Sequence, residues 1–313
     1  MRYCYKRRLL YCGIIIIVLV IILHLNNSSQ RTYDYVEKEN ILNNLHEEIA
    51  TNFTSSAIVD CDYYEIIHDE STFSLTLIDG DLVEGHNIRE GGEYAPQDCK
   101  PKYSTAIIVP YRDRAEQLRG FLVYMHTFFH HQHIHYRIFV VEQVDSKTFN
   151  RAKLMNIGAI AAMKAGFPCF ILHDVNLLPL RPGNLYACTQ QPRHMSCSIN
   201  KYRFIFPNIQ IFEGAISILS KQFKAINGMS NELGVEEDDL YKRIKAKGLK
   251  LYEFDSEMSQ YHLVTNKFEH KGDTQKGYLS RKKTMEEDGL SSLQYTEVAT
   301  VLHPLFTHIM VDL

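Results

Sequence analysis

Leu9 to Leu23 is an unbroken apolar run without charge, and Arg2, Lys6, Arg7 and Arg8 crowd just ahead of it. Basic residues beside an apolar segment stay on the cytosolic side, so the pattern predicts a type II signal anchor: a cytoplasmic tail over 1–8 and a transmembrane helix over 9–25. About 15 apolar residues is short against the roughly 20 that usually span a bilayer, and suits the thinner membranes of the early secretory pathway. A cleaved signal peptide has a core of similar length, but Leu23-His24-Leu25-Asn26-Asn27 offers no small-x-small cleavage site. Residues 26–60 are polar and charged and carry sequons at Asn26, Asn27 and Asn52, so this stretch reads as a lumenal, glycan-bearing stem. The remaining 61–313 is long enough for one large α/β domain.

Within that domain the apolar period alternates between two kinds. Ser104-Thr-Ala-Ile-Ile-Val-Pro110 is a buried strand closed by proline, and Ala115 to about Phe129 has apolar residues at helical spacing. Tyr136 to Gln143 is a second strand, followed by a helical run from Asn150 to Lys164 that stops at Gly166. Cys169 to Leu172 is a third strand. Strand and helix in this order imply a largely parallel sheet, with ligands bound beyond the carboxyl ends of its strands.

Composition adds the setting. A net charge of -3 gives no electrostatic reason to expect nucleic acid as a partner. Cys4 and Cys12 fall in the tail and anchor, whereas Cys61, Cys99, Cys169, Cys188 and Cys197 fall on the oxidising side, where two disulfides and one free thiol are the economical count. Five histidines at 126, 130, 131, 133 and 135 resemble a metal tract, but a helix end and the loop after it accommodate histidine without any metal.

The candidate chemistry lies at the strand ends. Pro110-Tyr-Arg-Asp-Arg114 follows the first strand, Phe149-Asn-Arg151 the second, and Asp174-Val175-Asn176 the third. Converging arginines can clamp a diphosphate and an aromatic can stack on a base. An acidic pair at a strand end can hold a hard cation against that diphosphate, and here its second member is an amide.

The words GGEYAPQDC, AIIVPYRDR, FNRAKLMNIG, CFILHDVNLLPL, QPRHMSCSINKYRF, EGAISILSKQFKAINGMSN, EEDDLYKR and EEDGLSSLQY run in order from about residue 91 to the end. On them the chain resembles the β-1,4-galactosyltransferase family. The resemblance implies a GT-A fold (a Rossmann-like mixed sheet flanked by helices), a Golgi type II membrane enzyme, a UDP-sugar donor and Mn2+. It also implies inverting transfer to a terminal N-acetylglucosamine. Residue by residue, it gives the donor Pro110, Tyr111, Arg112, Arg114, Phe149, Arg151, Asp174, Val175, Lys201, Ile211 and Gly214. It pairs Cys61 with Cys99 and Cys169 with Cys188, leaving Cys197 as the odd thiol.

Several positions depart from the family. Its metal ligands are an Asp, a Met and a His; this chain presents Asn176 and His262, with Met258 one residue out of step and Ser259 in the Met place. An amide oxygen still ligates a cation, with one negative charge fewer. The family's tryptophan has no counterpart, because the chain contains none. The acidic loop Asn231 to Asp239 instead puts Leu233, Glu236, Glu237 and Asp238 at the acceptor, with Glu237 and Asp238 as catalytic candidates and Glu237 as general base. The same four acids also suit the start of a helix from Leu240 to Lys247. Thr274 replaces an acceptor arginine. Ile211 stands where galactose-using members carry Tyr, which opens room for an acetamido group and makes UDP-GalNAc as fitting a donor as UDP-Gal. Two readings remain: an active transferase, or a catalytically reduced relative that binds UDP or a glycan.

Overall fold

The computed structural model describes residues 33–76, 87–204, 214–234, 236–264 and 285–313, with the side chains of 236–238 left out. The tail and anchor over 1–25, Asn26, Asn27, Ile211 and Thr274, and the side chains of Glu236, Glu237 and Asp238, lie outside the described residues. Among the described residues no helix is long and apolar enough to cross a membrane.

The described chain runs β1 (Asp34–Tyr35), α1 (Ile41–Asn44), α2 (Tyr64–Ile67), β2 (Glu93–Tyr94), β3 (Ser104–Tyr111), α3 (Ala115–His130), β4 (His135–Gln143), α4 (Arg151–Lys164) and β5 (Cys169–Leu172). It continues through β6 (Leu177–Pro179), β7 (Arg193–His194), β8 (Ser198–Ile199), β9 (Ile216–Leu219), α5 (Ser220–Ala225), α6 (Glu236–Ala246), β10 (Tyr252–Glu253), β11 (Gln260–Leu263), β12 (Thr296–Leu302) and β13 (Thr307–Asp312). The main sheet has the order β1-β10-β7-β9-β5-β3-β4-β13-β12, with β2 paired to β4, and a small second sheet has the order β6-β11-β8. Its centre, β5-β3-β4-β13, is parallel, while β9 and β12 run antiparallel to their neighbours. The sheet is therefore mixed.

All eight residues of β3 are buried, which is why the sequence there shows no alternation. Ile107 and Val109 face a cluster with Phe121, Tyr124 and Phe128 of α3, and Ala106 and Ile108 face another with Leu154, Met155 and Ile157 of α4. Each such side chain contributes about 1.5–3 kcal/mol on burial. Helix α4 lies close enough to β3 that a Cβ on Gly158 would sit 2.4 Å from Ile108 Cγ2. Both disulfides implied by the resemblance are present, Cys61–Cys99 and Cys169–Cys188, and Cys197 is a buried free thiol that burial pushes up to about 12.

The boundary at 61 needs correction. Residues from Tyr33 onward pack with the rest as one compact unit. β1 pairs in parallel with β10, Ile41 and Leu45 are buried, and Ala50 joins the α4 side of the core. Sparse apolar residues in a polar stretch are enough to dock it, because the partner surface is already built. Asn52, the one described sequon, is exposed in a turn. Three histidines of the 126–135 tract are held by protein groups: His126 by Tyr136 Oη and Leu305 O, His131 by Thr127 O, and His135 by Ser104 Oγ and Glu93.

Candidate active site

Because β4, β3 and β5 are parallel neighbours, their carboxyl ends open on one edge. Beyond Pro110 and Tyr111, both buried, Asp113 takes a positive φ of 52° and turns the chain into α3. Arg112 donates through Nη1 to Lys147 O at 2.7 Å, and its guanidinium lies 5.1 Å from the Phe149 ring centroid. The Arg114 amide donates to Tyr111 Oη at 3.3 Å. On the neighbouring strand, Gln143 Oε1 accepts from the Asn150 amide at 2.9 Å, and the Asn150 side chain caps α4 by accepting from Lys153 N at 2.9 Å. The cap brings Arg151, the first residue of α4, over the end of β5, where its Nε donates to Asp174 Oδ1 at 2.9 Å. Three strand ends, two guanidinium groups and a helix amino terminus thus meet, an arrangement that favours a bound anion. Val175 is buried beside them.

His173 holds this corner from below. It is fully buried; Nδ1 donates to Asp174 O at 3.0 Å, which leaves Nε2 to accept from Tyr186 Oη at 2.9 Å. Burial pushes its pKa down to about 4. The unfolded chain therefore binds a proton that the native state refuses, and stability falls as pH drops from about 6.5 towards about 4, by roughly 3 kcal/mol. Urea unfolding midpoints measured across that window should show the slope, and a His173→Gln variant, which keeps both hydrogen-bond roles without titrating, should lose it. An equal slope in the variant would refute the assignment.

Asn176 follows in the turn just before β6. Its carbonyl accepts from Val264 N at 2.8 Å, continuing the β6/β11 register of His262 opposite Leu178 and Leu263 opposite Leu177. Asn176 thus sits one step beyond the paired residues, two positions before the Leu178 that stands opposite His262. Asn176 Oδ1 is buried and has no hydrogen-bond partner among the described residues. Burial holds the His262 imidazole below its ordinary range, and Asn200 Nδ2 lies 2.9 Å from its Nδ1. Among the described residues no group of three His, Cys, Asp or Glu side chains is arranged to hold a metal. Ser259 is buried, and Met258 instead lines a cavity of about 770 Å³ with Tyr35, Lys38, Glu70, Arg181 and Asp255, none of which belongs to the strand-end cluster.

The remaining expected positions divide. Lys201 is exposed on the turn after β8, its Nζ 5.7 Å from the Tyr202 ring. Gly214 has a φ of +95°, and a Cβ there would meet Ser196 Oγ at 2.3 Å, so its role in the described geometry is close packing before β9. Leu233 is exposed in the turn before α6. That turn is fixed by residues the sequence reading passed over. Asn156 Nδ2 donates to Met229 O and Asn231 Oδ1, and Asn231 N donates to Asp288 Oδ1 at 3.0 Å. Arg243, nearly fully buried, pairs with Asp239 and with Asp288. α6 begins at Glu236, four residues before the expected Leu240, so all four acids fall in its first turn and Asp239 is committed to Arg243. An i, i+4 Asp/Arg spacing on a helix was the available signal.

A mixed α/β sheet whose strand ends carry an arginine-rich anion cradle belongs to the class of folds that bind a nucleotide diphosphate beyond the strand ends. Residues 59–189 match the N-terminal region of glycosyl transferase group 7, and residues 193–270 match the N-terminal domain of galactosyltransferase. The chain is 36% identical over 239 residues to β-1,4-galactosyltransferase 2 of Cricetulus griseus, covering 74% of this chain and 65% of the relative. It is 35% identical over 246 residues to β-1,4-galactosyltransferase 1 of Homo sapiens, covering 75% and 62%. It thus spans somewhat under two thirds of those relatives' length. The catalytic domain of Drosophila β-1,4-galactosyltransferase 7 in complex with xylobiose superposes with a TM-score of 0.59 at 29% identity, covering 67% of this chain and 94% of that one. A mutant of the same Drosophila protein, solved with manganese, UDP-Gal and xylobiose, gives a TM-score of 0.58. The chain belongs to the β-1,4-galactosyltransferase family.

Proposed function

We infer that the protein is a UDP-sugar-dependent transferase that moves galactose or N-acetylgalactosamine to a terminal N-acetylglucosamine of a glycan, with inversion. It acts on the lumenal side of the Golgi membrane, held by the 9–25 anchor. The observation that carries this reading is the Arg151–Asp174 contact, which joins the start of α4 to the end of β5 beside Arg112. Family membership supports it.

The residues present fit a divalent cation in one respect. The buried Asn176 Oδ1, unpartnered among the described residues, is an oxygen donor of the kind that suits manganese, and His262 stands opposite Leu178, two positions along. Bound there, Mn2+ would supply positive charge against the diphosphate. The chain's own groups do the rest. Arg112, Arg114, Arg151 and the amino terminus of α4 offset the negative charge that grows on UDP as the anomeric bond breaks. Glu237 removes the proton from the acceptor hydroxyl, whose oxygen bonds to the anomeric carbon from the face opposite UDP. Asp239, tied to Arg243, steadies the helix turn that presents Glu237.

The test incubates purified full-length protein with UDP-Gal or UDP-GalNAc, an N-acetylglucosaminide acceptor and a manganese titration. Transfer is the expected result, with its manganese optimum displaced upward by the missing charge at Asn176. Absence of transfer at every manganese concentration, with UDP binding intact, would overturn the reading in favour of a reduced relative that only binds nucleotide or glycan.

A further inference from the structure

Asn200 stands just past β8, which runs parallel to β11 with Ile199 opposite Tyr261, so its side chain reaches both His262 and Leu263. The Leu263 amide donates to Asn200 Oδ1 at 2.8 Å. A backbone N–H can only donate, so the atom facing it is the carbonyl oxygen, and this contact fixes which way the Asn200 amide points. Its NH2 group is thereby turned to His262 Nδ1, 2.9 Å away. Nδ1 must accept, and a neutral ring that accepts at Nδ1 carries its proton on Nε2.

Neither ring nitrogen is then available to a cation. Nε2 carries a hydrogen instead of a lone pair, and the lone pair on Nδ1 is occupied by Asn200. Turning the amide over would free the ring to change tautomer, but it would set an NH2 group against the Leu263 N–H, two donors face to face. We propose that Asn200 is a positioning residue that locks His262 in the tautomer unable to ligate through Nε2, and so weakens the grip of this edge on a divalent cation. A carboxylate at this position would accept from both Leu263 N–H and Nδ1–H, leaving the Nε2 lone pair outward, the arrangement in which a histidine is held ready for a metal. The metal edge as built has one open oxygen, on Asn176, and one closed nitrogen, on His262. This inference deepens the metal reading given above and rests on it.

The experiment is nitrogen-15 NMR of the histidine rings in the full-length protein above neutral pH, with the His262 signals assigned by their loss in a His262→Gln variant. In the native sequence Nε2 should be the protonated nitrogen and Nδ1 the unprotonated one. In Asn200→Asp, which keeps the acceptor for Leu263, the two should exchange. Mn2+ affinity, measured by calorimetry without UDP-sugar or acceptor, should tighten about 10–100-fold. An unprotonated Nε2 in the native protein would overturn the proposal and needs no variant. So would an exchanged ring in Asn200→Asp with unchanged Mn2+ affinity. Failure of sugar transfer bears only on the transferase reading, since neither substrate enters these measurements.

Discussion

Replacing Arg243 with methionine should destabilise the protein by about 3–5 kcal/mol, because it removes the counter-charge of the buried Asp288 and the partner of the half-buried Asp239. The Arg243 side chain is 3% exposed and Asp288 is 4% exposed. Between them they bind the start of α6 to the 285–292 turn: Arg243 Nε donates to Asp239, its Nη1 donates to Asp288 O at 2.7 Å, and Asp288 accepts from Ser230 Oγ and Asn231 N. Coulomb attraction in this setting does little more than offset desolvation, but deleting one partner leaves the other's burial uncompensated. The loss should appear in the urea unfolding midpoint, and activity should fall with it because the first turn of α6 carries Glu236 to Asp238. A double variant, Arg243→Met with Asp288→Asn, should recover part of the stability. A single variant within about 1 kcal/mol of the native protein would contradict the argument.

Replacing Arg151 with alanine should do the opposite, leaving the fold almost untouched while lowering kcat/KM for the UDP-sugar about 100-fold to 1,000-fold, the usual loss when one preorganised charge-stabilising donor is removed. Arg151 is 22% exposed and Asp174 36%, so their ion pair is worth little to stability. Its geometric value is larger, since the contact aims both groups at the strand ends. Arg151→Lys should not rescue, because a single ammonium cannot hold Asp174 and a phosphate oxygen in one plane. Steady-state kinetics beside thermal melts would separate the two effects. A variant with unchanged kcat/KM would remove Arg151 from the donor site.

The parts of the fold that were legible in the sequence are those whose signal is local. β3 shows as a run of apolar residues because both of its faces are covered, and α3 and α4 show through their spacing and, for α4, its capping asparagine. The strand-end arginines followed once those elements were placed. β1 was not legible: two residues, Asp34 and Tyr35, form a strand only because β10 waits for them more than 200 positions later. β13 has the same character in its pairing with the distant β4, whereas β12 joins it through a local hairpin. At the site, the sequence pointed to Asn176 and His262 but not to Asn200, whose importance comes from one amide reaching two partners on a neighbouring strand. The base assignment at Glu237 likewise rests on the loop's order of residues, whereas the commitment of Asp239 to Arg243 needed coordinates.

The docking of β1 has a practical consequence for the sheet's outer margin. Asp34 N donates to Leu251 O and Val36 N donates to Glu253 O, so β10 is covered on the side away from β7. A fragment started at Cys61 would uncover those carbonyls and leave the two-residue β10 unpaired on that side. The stretch that looks like a mere tether thus supplies the outermost strand of the sheet, a pairing that a fragment begun at Tyr33 should keep and one begun at Cys61 would lose.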